Sequence, residues 1–117
     1  MLAWTNSREA ARALNDALPL IGGCEELLLF SSIESESDPH TEIARHLATH
    51  GIKTRSRIEV MDEQLGVMDA MLNTISDSSV DLLVMGAHTP AKRPFLSQGT
   101  GTRFILRHMT VPVLMSH

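Results

Sequence analysis

A segment of small and hydroxylated residues in the last third of the chain is the part best suited to hold a ligand. Residues 99–102 read Gly-Thr-Gly-Thr and stand at the start of a predicted helix. Small residues at this position let backbone N–H groups approach an anion, and the helix dipole favours negative charge. Threonine hydroxyls add further donors. The segment therefore predicts either a phosphate site or a simple helix cap, because one G-x-G pattern does not decide between them.

Charges are distributed unevenly around this segment. All 14 acidic residues and six of the ten basic residues lie in residues 1–81, whereas the other four bases lie in residues 82–117. The net charge of −4 argues against nonspecific binding to nucleic acid. Two interpretations of this basic last third are open. It attracts a small anion such as a nucleotide phosphate, or its basic side chains are simply solvated on a loop and a helix.

The length of the chain indicates one domain, residues 1–117, that can bury a single core. No apolar run exceeds four residues, so the sequence predicts neither a membrane-spanning helix nor a signal-peptide core. Cys24 is the single cysteine, and it therefore forms no disulfide within the chain. We expect a cytoplasmic protein.

The spacing of apolar residues predicts strands that alternate with helices. Residues 27–30 are apolar on both faces, as in a strand covered on both sides. From residue 52 the period becomes two, which is typical of a strand with one wet face. This alternation predicts a parallel sheet with helices on both faces. The predicted strands are residues 1–4, 27–30, 52–60, 80–85 and 111–116, and the predicted helices start at caps Asn6 or Ser7, at Asp38-Pro39, at Leu65 and at Thr100.

The last third of the chain resembles the nucleotide motif of the universal stress protein family. That motif is glycine, two residues, glycine, nine residues, glycine, and then serine or threonine. Here Gly86 is followed after two residues by Thr89, and nine residues later by Gly99-Thr100. The ending Val111-Pro112-Val113-Leu114 and the first strand and helix are similar to the family as well. The resemblance covers essentially the whole chain and implies an open, Rossmann-like α/β fold with a five-stranded parallel sheet in the order 3-2-1-4-5.

The resemblance also implies a function, namely binding of an adenine nucleotide, ATP with Mg, in a stress response. Two residues depart from the family pattern. Thr89 stands at the motif's middle glycine, and Thr5 stands at the acidic residue that ends the family's first strand and contacts the nucleoside. The alternative is a dimerisation or interaction module of the same fold that binds no nucleotide. The predicted nucleotide-binding residues are Thr5, Gly86, His88, Thr89, Arg93, Gly99, Thr100, Gly101 and Thr102.

No pattern in the sequence predicts a catalytic centre or a metal site. The chain has no nucleophile-elbow motif and no Walker-type G-x-x-x-x-G-K, so weak ATP hydrolysis is the most that we expect. His46 and His50 share a predicted helix face, but a metal site there would need a third ligand.

The last strand predicts how the protein assembles. Residues 111–117 carry no acidic, lysine or arginine side chain, whereas Lys53, Arg55 and Arg57 protect the opposite edge of the predicted sheet. The resemblance implies a homodimer through Val111 to His117, or a fused pair of domains. The chain resembles either the second half of such a fused pair or a single family member trimmed at its start.

Overall fold

A computed structural model of the chain describes residues 1–33, 37–60, 66–87 and 100–117, with Thr100 and Gly101 described by their backbone alone. These residues confirm the predicted alternation of five strands with four helices. The strands are β1 (Leu2–Ala3), β2 (Leu27–Ile33), β3 (Thr54–Val60), β4 (Leu83–Gly86) and β5 (Val113–Ser116). The helices are α1 (Arg8–Ile21), α2 (Thr41–Thr49), α3 (Val67–Asp77) and α4 (Thr100–His108).

All strands pair in parallel in the order β3-β2-β1-β4-β5, which confirms the predicted order. The central strand β1 is only two residues long, but backbone hydrogen bonds continue its ladder on both sides. Trp4 N–H donates to the Phe30 carbonyl at 2.7 Å, and Val84 N–H donates to the Met1 carbonyl at 2.8 Å. These bonds hold β1 between its two neighbours although it is short.

Two apolar cores lie on opposite faces of the sheet, because successive side chains of a strand point to opposite faces. In β2, Leu27 and Leu29 join the core under α1 and α2, while Leu28 and Phe30 join the core under α3 and α4. This explains why residues 27–30 are apolar at every position. The helices contribute Ala13, Leu14, Ala17, Ile21, Ile43 and Leu47 to the first core and Met71, Ile75 and Ile105 to the second.

The structure confirms Ser7, one of the two predicted caps, as the N-cap of α1. Ser7 has an extended backbone, and its Oγ accepts the Ala10 N–H at 3.2 Å, which satisfies one of the helix's free donors. The predicted start of α2 is wrong by two residues: the helix begins at Thr41, with His40 at the N-cap position. Asp38 nevertheless accepts the His40 N–H at 2.9 Å, so it stabilises the turn that enters the helix.

Strand β2 is longer than the sequence predicted. Its pairing with β3 continues to Ile33 opposite Val60, so Ser31 and Ser32 belong to the strand and not to the following loop. No helix among the described residues is long and apolar enough to cross a membrane.

Candidate functional site

Strands β1 and β4 are parallel neighbours in the sheet, and the chain continues from them to opposite faces of the sheet. The connection from β1 leads to α1 on one face of the sheet, and the connection from β4 leads toward α4 on the other face. In open parallel sheets a crevice forms at such a reversal, beyond the carboxyl ends of the strands, and ligands bind there. Thr5 follows β1 and Gly86 ends β4, so two of the predicted site residues lie at this crevice.

Thr5 takes part in the turn that starts α1. Its Oγ1 lies 2.9 Å from Ser7 Oγ, and its carbonyl accepts the Ser7 N–H at 2.7 Å. The same Ser7 hydroxyl caps the helix. Thr5 therefore brings a half-buried hydroxyl to the crevice but no charge.

Gly86 allows a close approach between β4 and α1. A Cβ built on Gly86 would lie 2.7 Å from Ala10 N and 2.8 Å from Glu9 C, both of them backbone atoms of the first turn of α1. Contacts this short force the backbone to move, so only glycine fits here without a shift. This packing holds the N-terminus of α1 beside the end of β4, at the crevice.

The first turn of α4 lies at the same edge of the sheet. Since β5 is parallel to β4, the helix between them starts at the carboxyl edge and runs back. Ile105 is fully buried in the second core and fixes the helix on the sheet, while Thr102 is half-buried. The first turn of α4 has no acidic residue, and its leading N–H groups have no intrahelical acceptor. These features suit an anion.

The remaining predicted site residues lie outside the described part of the chain. The structure brings Thr5, Gly86 and residues 100–102 to one edge of the sheet. The predictions for His88, Thr89, Arg93 and Gly99 fall on residues 88–99, which the structure does not describe. Their roles stay predictions.

The chain is similar to several solved structures of universal stress proteins. UspA from Lactobacillus plantarum matches 99% of this chain and 94% of its own at a TM-score of 0.74 and 13% identity. Family members from Burkholderia pseudomallei and Archaeoglobus fulgidus match at 20% and 15% identity, each with a TM-score of 0.63. They cover 97% and 98% of this chain, and 91% and 94% of their own. The chain has the universal stress protein fold. No family model and no curated protein sequence matches it.

Beside strands β2 and β3, this chain holds a buried histidine that sequence reasoning missed. The His40 residue is only 2% exposed, and its Nε2 lies 2.8 Å from Ser31 Oγ, while Nδ1 is hydrogen-bonded to Ser56 Oγ. Ser31 Oγ donates its own proton to the Trp4 carbonyl at 2.6 Å. Ser31 is therefore an acceptor toward the ring, which assigns the ring proton to Nε2 and makes Nδ1 the acceptor for Ser56.

The surroundings of His40 favour its neutral form. Burial lowers the pKa of the ring below its ordinary value, and the nearby Asp38 carboxylate opposes this only in part. Hydrogen bonds from the Thr41 hydroxyl and the His40 N–H in turn hold the pKa of Asp38 below its usual range. The sequence signal for this network is weak, because Ser31 directly follows the apolar run 27–30 and Ser56 is one of several polar residues in the alternating strand.

A second polar feature of this chain lies on the outer strand β3, away from the crevice. A cleft of about 160 Å³ is lined by residues of β3 and α3, including Arg55, Arg57 and Asp77. Arg55 pairs with Glu26 at 2.9 Å, and Arg57 pairs with Glu59 at 2.6 Å. Because both guanidinium groups already have a carboxylate partner, we interpret this cleft as a charged edge of the sheet.

His46 of α2 and His50 at the C-cap of this helix lie next to each other, as their spacing predicted. The ring centroids of His46 and His50 are 5.0 Å apart. Within the described ranges, no group of three or more His, Cys, Asp or Glu side chains is arranged to hold a metal ion.

Proposed function

We propose that this protein is a cytoplasmic universal stress protein that binds an adenine nucleotide, ATP with Mg, in the crevice between β1 and β4. The observation that carries the proposal is the reversal of strand order at these two strands. It brings Thr5, Gly86 and the first turn of α4 to one edge of the sheet, which is where open parallel sheets bind ligands.

The phosphates would lie at the N-terminus of α4. The leading N–H groups of its first turn have no intrahelical acceptor, and the turn holds no acidic side chain. The bases that follow, Arg103 and Arg107, together with Lys92 and Arg93 before the helix, give this part of the chain a positive charge. A magnesium ion would come with the phosphates and would neutralise part of their charge.

The Gly99→Val variant tests this position of the phosphates. Two methyl groups beside the helix start would keep a phosphate away from the backbone N–H groups, so we expect ATP·Mg to bind about tenfold more weakly or not at all, a loss of about 1.4 kcal/mol or more. Calorimetric titration of the purified protein gives the dissociation constant. The control is Gly22→Ala at the end of α1, where the added Cβ meets only an ordinary contact at 3.4 Å. Equal affinity of the Gly99 variant and the parent would contradict the position.

We further propose that two copies of the chain pair through β5. This strand ends the sheet, and its side chains Val113, Leu114 and Met115 are only partly buried within one chain. An edge strand without charged side chains offers its N–H and C=O groups to another strand. Antiparallel pairing of β5 with its copy would give a two-fold dimer with one continuous sheet.

The Val113→Lys variant tests the dimer. Two lysines would face each other near the two-fold axis, so we expect dimers in the parent and monomers in the variant at high micromolar concentration, measured by analytical ultracentrifugation. Val60→Lys is the matched control, because Val60 is 65% exposed on the opposite edge strand β3, and this variant should remain dimeric. A monomeric parent, or a dimer that Val60→Lys breaks while Val113→Lys does not, would contradict the assignment.

A further inference from the structure

Ser56 is an exposed serine whose hydroxyl contacts a buried base. It lies on the outer strand β3, and its Oγ is hydrogen-bonded to His40 Nδ1. The rest of the ring is enclosed, because the His40 residue is only 2% exposed. A nucleophile that a ligand can reach is thus paired with a base that water does not solvate. The pair lies at β2 and β3, apart from the crevice between β1 and β4.

The base is held in the tautomer that it needs. Ser31 Oγ donates to the Trp4 carbonyl at 2.6 Å and accepts from His40 Nε2 at 2.8 Å, so Nδ1 is left to accept the proton of Ser56. A nucleophile, a base within hydrogen-bond reach and a third group that orients the base are the parts of an activated serine. Here the orienting group is a serine fixed by a backbone carbonyl.

The backbone of Ser56 supplies a donor at the same place. Directly before β3, the Lys53 carbonyl accepts the Leu27 N–H at 2.8 Å, so the odd-numbered residues of β3 direct their backbone groups toward β2. The N–H of Ser56 therefore points to the outer edge of the sheet. A nucleophile's own N–H is one of the donors that stabilise the oxyanion in acyl transfer.

No charged side chain of β3 stands between Ser56 and a neutral reactant. Ser56 is in register with Leu29 of the first core, whereas Arg55 and Arg57 are in register with Leu28 and Phe30 of the second. The two arginines therefore project from the opposite face of the strand. On the face that carries the Ser56 side chain, β3 itself therefore offers no charged side chain to a reactant.

We propose that Ser56 is a nucleophile that takes an acyl group from small activated esters, with His40 as its general base. Ser56 Oγ attacks the ester carbonyl while its proton passes to His40 Nδ1, and the oxyanion forms beside the Ser56 N–H. The carbon–oxygen bond to the leaving alcohol then breaks, and the alcohol takes the proton from His40. The products are acyl-Ser56 and a free alcohol, with no change of oxidation state. His40 contacts the reacting hydroxyl, and Ser31 is a positioning residue.

The experiment uses p-nitrophenyl acetate with the full chain. We expect one equivalent of p-nitrophenolate to be released per protein and peptide mass spectrometry to find the acetyl group on Ser56. Ser56→Ala should remove both signals, while Ser76→Ala, which changes an exposed serine of α3, should change neither. His40→Gln should slow acylation of Ser56 by at least about 100-fold, the usual contribution of a general base.

The pH profile separates a base from a structural histidine. The neighbours of the ring on β2 and β3 are the uncharged Ser31 and Ser56, and Asp38 acts on it from the segment before α2. Since burial lowers the pKa of His40, acylation should keep its full rate to a pH below the ordinary histidine value of about 6.5 and then fall. Three results would overturn the proposal: no acetyl group on Ser56, an unchanged rate in a folded His40→Gln variant, or a rate on Ser56 that does not depend on pH. The last measurement uses the parent protein and decides the matter even if His40→Gln does not fold.

Discussion

The Gly86→Ala variant should lose about 1–3 kcal/mol of its free energy of unfolding, even in the absence of any ligand. The added Cβ would lie 2.7–2.9 Å from atoms of Glu9 and Ala10 in the first turn of α1. Two of these three atoms are backbone, so the conflict cannot be relieved by turning a side chain. Overpacking of this kind usually costs about 1–3 kcal/mol because the elements must separate. Urea unfolding followed by circular dichroism gives the difference.

The control for this variant is Gly23→Ala, in the connection after α1. A Cβ at Gly23 meets no atom within 4 Å, and alanine restricts the unfolded chain, so this change should be neutral or should stabilise the protein by about 0.4–1 kcal/mol. If Gly86→Ala were as stable as the parent, α1 would have to pack farther from β4 than the structure shows.

The Ser31→Ala variant should also lose about 1–3 kcal/mol of its free energy of unfolding. Ser31 is 4% exposed, and its hydroxyl connects the Trp4 carbonyl at 2.6 Å to the His40 ring at 2.8 Å. Without it, a carbonyl oxygen and the Nε2–H group each lose this partner, and an unpaired buried polar group costs about 1–3 kcal/mol. The unfolding midpoint in urea measures the loss.

Ser32→Ala is the matched control, because the next serine of β2 is only partly buried. This change should cost less than about 0.5 kcal/mol, as is usual away from buried features. Equal stability of the Ser31 and Ser32 variants would show that the network around His40 adds nothing to the stability of the fold.

The topology could be predicted from the sequence because apolar spacing reports burial directly. A strand that is apolar at every position, such as residues 27–30, must be covered on both faces, and this placed it inside a two-faced sheet. The end of β2 could not be predicted in the same way. Ser31 and Ser32 interrupt the apolar pattern, and the burial of Ser31 is offset by hydrogen bonds to Trp4 and His40, which are distant along the chain.

The sequence pointed to candidate site residues but not to their contacts. Gly86 and Thr5 were chosen for a ligand, and the structure puts both at the β1–β4 reversal. Their contacts with α1 depend on Ala10 and Ser7, which no spacing rule connects to them. The histidine network was not predicted at all, because its members come from β2, β3 and the start of α2 and meet only after folding.

The most direct test of the nucleotide site is a titration of ¹⁵N-labelled protein with ATP·Mg, followed by the backbone amide signals in NMR spectra. The account predicts the largest shifts at residues 5–7, 86–87 and 100–102, which line the crevice between β1 and β4. Residues 55–57 on the outer strand should show none. An unchanged spectrum at millimolar nucleotide, or shifts confined to residues away from this crevice, would contradict the account.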